Sequence, residues 1–190
     1  MGMDIYGLNP QLVGEKPVAP DWKTATKEEK DVYFKAQDAF EENNPGYYFR
    51  ANIWAWTPIH VLCDLAIKVA GAPLSTEGWG DNSGNGLDTQ LKCDILADAL
   101  DLFLILNNTN AKEDDDSVYI CFGIWVYGNG TFVSSELSKK LDKDYPPGTI
   151  MYNGVVAEDG ELVFPAHGVT IGYVREFVKF LRSCGGFEIC

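Results

Sequence analysis

A chain of 190 residues with 28 acidic and 15 basic side chains carries a formal net charge of -13. With no basic run to override it, that charge repels phosphate backbones and anionic lipid surfaces, so neither a nucleic-acid nor a membrane partner is expected. The length suits one domain with one sizeable core, and no linker-like, low-complexity or repeated stretch divides it.

The excess acid keeps the chain soluble and leaves it suited to a basic partner surface. Five cysteines (Cys63, Cys93, Cys121, Cys184, Cys190) form no CxxC pair, and several fall on or beside apolar faces, which reads as reduced, buried thiols. Cys63 and Cys93 are expected on facing helices. The opening residues Met1 to Tyr6 have neither a basic nor an apolar leader pattern, and no run approaches a membrane span, so a cytoplasmic protein is expected.

Met3 to Leu8 alternates apolar and polar residues until Asn9-Pro10, the period of a half-buried strand. The stretch through Pro17 and Pro20 is loop. Thr26-Lys27-Glu28-Glu29 carries a capping-box pattern, and Val32, Ala36, Ala39 and Phe40 follow on one stripe, predicting a helix to about Glu42. From Asn44 to His60 five large aromatics, Arg50 and His60 crowd together, a run that leads either into a core or to a ligand platform.

Pro58 suits a first helical turn, and Ile59, Leu62, Cys63, Ala66, Val69 and Ala70 recur at helical spacing until Gly71 and Pro73. Val61, Leu65 and Ile67 fill most other faces, which makes this the central helix. Its narrow polar strip, His60, Asp64 and Lys68, reads as a solvated ion-pair strip, with a catalytic dyad as the alternative. The Gly-rich loop from Gly78 to Asp88 then leads into a helix capped by Asp88. That helix is expected to bury Leu91, Ile95, Ala99, Leu102 and Leu106, with Leu96 and Phe103 beside them and Asp94, Asp98 and Asp101 opposite.

Asn107 to Asp116 reads as acidic surface. Val118 to Tyr127 has strand composition and turns at Gly128-Asn129-Gly130 into Thr131-Phe132-Val133, a predicted hairpin. Ser134 or Ser135 caps a short helix to Leu141, and Thr149 to Val156 with Glu161 to Phe164 reads as a second hairpin. A last helix starting near Thr170 buries Val174, Phe177, Val178 and Leu181. Gly185-Gly186 ends it, and Phe187 to Ile189 alternates like a strand that should share a sheet with Met3 to Tyr6. Helices and strands do not alternate strictly, so the fold class is α+β: a single domain, with a mixed or antiparallel sheet and helices packed mainly on one face.

Asp81, Ser83, Asn85 and Gly86 match positions one, three, five and six of a calcium loop, but position twelve is Lys92, which removes the defining carboxylate. The backbone of the same loop could instead receive an anion, against the charge of Asp81 and Asp88. Zinc is poorly supported, since only His60 and His167 exist and no cysteine stands at ligand spacing. No nucleophile elbow, P-loop or dinucleotide fingerprint is present. No catalytic residue, metal or cofactor is therefore assigned. The candidate ligand-binding residues are Arg50, Asn52, Trp54, Trp56, His60, Trp79, Asp81 and Asn85, where the aromatic run would meet the Trp79 to Asp88 loop. Arg50 is expected either to stack on an aromatic and pair with Asp81 or Asp88, or to receive an anionic ligand.

Four stretches, Met1 to Gly7, Tyr48 to Trp54, Asn82 to Leu87 and Val174 to Ile189 with its Cys184-Gly185-Gly186-Phe187, resemble a family of small uncharacterised bacterial and phage-encoded proteins. The resemblance implies that these segments belong to one fold unit and supplies no catalytic residues. It does not cover residues about 108–167, which read as a β-rich elaboration. The functional expectation is a non-enzymatic interaction or accessory protein, phage- or prophage-associated, with an unknown protein partner. The alternative is a small-molecule-binding protein or hydrolase using the Arg50 to Asn85 constellation.

Overall fold

The computed structural model describes residues 2–107, 118–121, 124–146, 150–152, 154–166 and 168–190. Strand β1 (Gly2–Gly7) leads through a long strap to α1 (Lys27–Asn43), then to β2 (Tyr48–Asn52), α2 (Ile53–Ala70), the short β3 (Gly86–Leu87) and α3 (Gln90–Leu106). There follow β4 (Val118–Cys121), β5 (Trp125–Tyr127), α4 (Ser135–Asp144), β6 (Ile150–Tyr152), β7 (Val155–Val156), β8 (Leu162–Pro165), β9 (Gly168–Thr170), α5 (Ile171–Leu181) and β10 (Phe187–Ile189). The fold is α+β, and among the described residues every strand pairing is antiparallel.

The main sheet has the order β2-β1-β10-β3. Ile5 stands between Phe49 on one side and Ile189 on the other, so the first and last strands are neighbours as their alternation predicts. Period-two alternation sends Met3, Ile5, Phe49, Ala51, Phe187 and Ile189 to one buried face. Helices α2, α3 and α5 cover that face with Ile59, Leu62, Leu96, Leu100, Val174 and Phe177. Phe177 is the hub, its ring 5.0 Å from Phe49 and 5.9 Å from Trp56, with Phe180 and Phe187 beyond. Fully burying each such side chain stabilises the fold by about 1.5–3 kcal/mol.

Two further three-stranded sheets, β6-β4-β9 and β5-β8-β7, lie between α3 and α5 in sequence. The first joins the main core through Ile120 and Val169. The second closes with α4 over a small core of its own, Cys121, Trp125, Leu141, Ala157 and Val163, where the Trp125 indole N–H donates to Asp142 at 3.0 Å.

Several local expectations are corrected. Helix α2 begins at Ile53, with the Asn52 side chain accepting from Ala55 N, so Pro58 sits in its second turn rather than its first. Thr89, not Asp88, caps α3, and Asp88 instead pairs with Lys92 at 2.8 Å. The expected stripe of α3 largely faces solvent: Leu91 is 71% exposed, and Leu102 and Leu106 are exposed with it. Of the expected residues Ala99, Leu96 and Phe103 are buried, and Cys93, Ala97, Leu100 and Leu104 are buried with them. The helix is apolar on two faces, and its packing against α2 and α5 selects the second.

In α1 the capping box forms as expected, but of the apolar stripe only Phe40 is buried, and Val32 is 68% exposed. The β-rich run 118–127 is shared between two sheets rather than forming one strand, and β6 pairs with β4, so the second hairpin reduces to β7 and β8. The expected acidic surface at 108–116 and His167 lie outside the described residues.

Candidate functional site

The Arg50 side chain is placed by the alternation of β2, an edge strand of the main sheet. Phe49 and Ala51 point into the core, which turns Arg50 and Asn52 outward. Beside them, Thr170 caps α5 by accepting from Tyr173 N, and the Tyr173 hydroxyl donates to the Arg50 carbonyl at 2.7 Å. Arg50, Asn52, Ala55, Gly168, Val169, Thr170 and Tyr173 together line a cleft of about 460 Å³. The N-terminal ends of α2 and α5 both border it, and the positive ends of their helix dipoles add to the potential of the guanidinium. Burial pushes the Tyr173 phenol up to about 12, so it stays a neutral donor at physiological pH.

The remaining candidates do not join this cleft. Trp56 and Trp79 are buried core residues, the Trp56 indole N–H donating to the Trp79 carbonyl at 2.6 Å. His60 lines a different groove of about 610 Å³ with Asp64, Lys68, Ser75 and Thr76, one ring nitrogen 3.1 Å from the Thr76 carbonyl. Asp64 pairs with Lys68 at 2.5 Å, so the polar strip of α2 is an ion pair with its histidine held elsewhere. The side chain of Trp54 lies outside the described residues.

Asp81 and Asn85 sit in the exposed loop before α3, where the Asn85 amide donates to Gly78 O and Ser83 Oγ. The loop backbone is engaged with the last strand, Ile189 N donating to Asn85 O and Gly84 N to Ile189 O. Arg50 accordingly meets neither Asp81 nor Asp88: it stands opposite Asp4 in the β1–β2 register, and Asp4 accepts a hydrogen bond from Tyr48. That bond and burial push the Tyr48 phenol well above its ordinary value, burial being the larger cause.

Sequence reasoning found Arg50 and Asn52 but missed Thr170 and Tyr173, which come from 123 residues further on in the case of the Tyr173 to Arg50 contact. Among the described residues no group of three or more His, Cys, Asp or Glu is placed to hold a metal ion, and no helix is long and apolar enough to cross a membrane. No family profile, curated protein or solved structure matches the chain.

Proposed function

We propose that this chain is a cytoplasmic, non-enzymatic interaction or accessory protein, of phage or prophage association, that docks a partner through α1 and the strap preceding it. The observation that carries the reading is the poor packing of that arm. A helix of 17 residues ordinarily draws its stability from one buried face, yet α1 buries only Phe40. Trp22, Val32 and Phe34 are exposed, and Val13 and Val18 of the strap with them. Trp22, Tyr33 and Phe34 form a surface cluster of rings at 5.4 to 5.7 Å. Around it α1 carries Glu28, Glu29, Asp31, Asp38, Glu41 and Glu42 against Lys27, Lys30 and Lys35. An aromatic, acidic face fits a partner with apolar and basic side chains.

A photo-crosslinking phenylalanine analogue placed at position 34, in cells that naturally express the protein, is expected to give discrete adducts. The same analogue at Lys179, on the exposed side of α5, should give none. Equal yields at both positions would overturn the reading.

A second reading, binding of a small anion, is favoured by the Arg50 cleft with its two helix N-termini. Here a phosphate or carboxylate should raise the Tm of the wild type and leave an Arg50→Ala variant unmoved.

A further inference from the structure

We propose that Cys93 and Cys184 are a disulfide-forming pair, a site of reversible oxidation that ties the start of α3 to the turn after α5. Their Sγ atoms are 3.5 Å apart across 91 residues of sequence, and both side chains are buried. A disulfide needs about 2.05 Å between sulfurs, so the two must close by about 1.5 Å, within reach of side-chain rotation.

The backbone around them is held for that approach. The Gln90 side-chain amide donates to Leu181 O at 2.8 Å, and its carbonyl accepts from Gly185 N at 2.7 Å, clamping both ends of the turn that carries Cys184 to the first residue of α3. Gly185 and Gly186 both have positive φ, 68° and 103°, and a Cβ on Gly185 would meet the Asn9 carbonyl at 2.4 Å. The turn therefore keeps one tight path against its neighbours.

A cleft of about 430 Å³ lined by Gln90, Ser183 and Gly185 among others lies beside the turn that carries Cys184, the last two being its neighbours in the chain. The hydrogen bond shared with Cys93 holds the Cys184 thiol below its ordinary range and pushes the Cys93 thiol up, so Cys184 is the sulfur of the pair that ionises first. Cys63 and Cys121 are buried and Cys190 is exposed.

In the reaction the Cys184 thiolate attacks an oxygen of a peroxide, breaking the O–O bond to give a sulfenic acid and one water, or a sulfur of a small disulfide, breaking its S–S bond to give a mixed disulfide and one thiol. The Cys93 sulfur then attacks Cys184 Sγ, forming the S–S bond and expelling a second water or the second thiol, so that the oxidant has taken the two protons and two electrons of the pair. The inference does not depend on the partner-binding reading.

The test uses the folded protein carrying Cys190→Ser, so that the exposed thiol cannot consume oxidant. It is treated with diamide, an azo compound that accepts both hydrogens, then denatured, alkylated with N-ethylmaleimide and digested without reductant. The expected result is an intact mass lower by two hydrogens before alkylation, a linked peptide joining Cys93 to Cys184 after digestion, and a Tm raised by several degrees that dithiothreitol reverses. Adding Cys63→Ser should change none of this, whereas Cys184→Ser should abolish it. The linked-peptide readout needs no substitution in the core. Full alkylation of Cys93 and Cys184 after oxidation, or linkages to Cys63 and Cys121 in comparable yield, would overturn the proposal.

Discussion

The indole N–H of Trp56 donates to the main-chain carbonyl of Trp79 at 2.6 Å, with both rings buried and their centroids 6.3 Å apart. One side chain of α2 thereby anchors the whole loop that precedes β3. Trp56→Phe keeps most of the apolar surface but removes the donor, leaving a buried carbonyl without its partner. The expected cost is about 2–3 kcal/mol, measured by urea denaturation. A loss below about 0.5 kcal/mol would show that the bond is replaced by solvent.

Asn44 is the corresponding anchor for the arm. It is buried, accepts from Val13 N at 2.6 Å and donates to Val13 O and Phe40 O. Asn44→Ala should free the strap and the end of α1, raising amide exchange around residue 13 and across residues 40–44 while protection of β1 and β10 stays as in the wild type. Uniform loss of protection through the main sheet would place Asn44 in the global core instead.

Alkaline stability should follow Tyr173. Its folded-state value lies above the ordinary 10.0 of tyrosine because of burial, so the folded chain keeps this proton after the unfolded chain has lost it. The contribution is fully present below pH 10 and is lost as pH rises from 10 toward 12. Tyr173→Phe should flatten that fall and cost about 1 kcal/mol at pH 7 through the lost bond to Arg50 O. Denaturant midpoints measured between pH 8 and 11.5 on both proteins check the slope, and parallel curves would reject the assignment.

Native thiol counting gives a further check. Cys190 is exposed and Cys63, Cys93, Cys121 and Cys184 are buried, and burial pushes Cys63 far up. A thiol reagent should therefore titrate Cys190 rapidly in the native, reduced protein and Cys63 and Cys121 only after denaturation. Fast reaction of Cys63 would contradict the packing of α2 on α3.

Arg50 is exposed, and among the described residues no ion pair holds its guanidinium. Arg50→Ala should change stability by less than about 0.5 kcal/mol. A loss above about 1 kcal/mol in urea denaturation would assign it a structural role.

Elements with one apolar face were legible in the sequence. Helix α5 buries Val174, Phe177, Val178 and Leu181 as its spacing dictates, and β1 meets β10 because both alternate. Helix α3 misled because Leu91, Ile95, Leu102 and Leu106 make as good a stripe as Leu96, Leu100, Phe103 and Leu104, and periodicity does not say which face a neighbour will cover. The loop before α3 looked like a ligand loop because its Gly, Asn and Asp composition also suits a strand that must pass close to another backbone. A Cβ on Gly86 would meet the Phe187 carbonyl at 2.0 Å, so glycine serves the β3–β10 pairing there. The Arg50 cleft was half visible, since β2 alternation turns Arg50 outward while its far wall comes from β9 and α5 through contacts no local pattern announces.

Because β10 lies between β1 and β3, the main sheet has an order of assembly imposed by synthesis. Strands β1 and β2 can pair early, but β3 has among the described residues no strand neighbour other than β10 and must wait until Phe187 to Ile189 emerge. Until then Ile5 and Leu87 lack the backbone that joins them, and the aromatic hub around Phe177 has no completed floor. Such long-range closure makes folding slow relative to local helix formation and leaves nascent apolar surface uncovered for most of translation. A ribosome-stalled chain ending before Phe187 should consequently be far more sensitive to protease than the released protein.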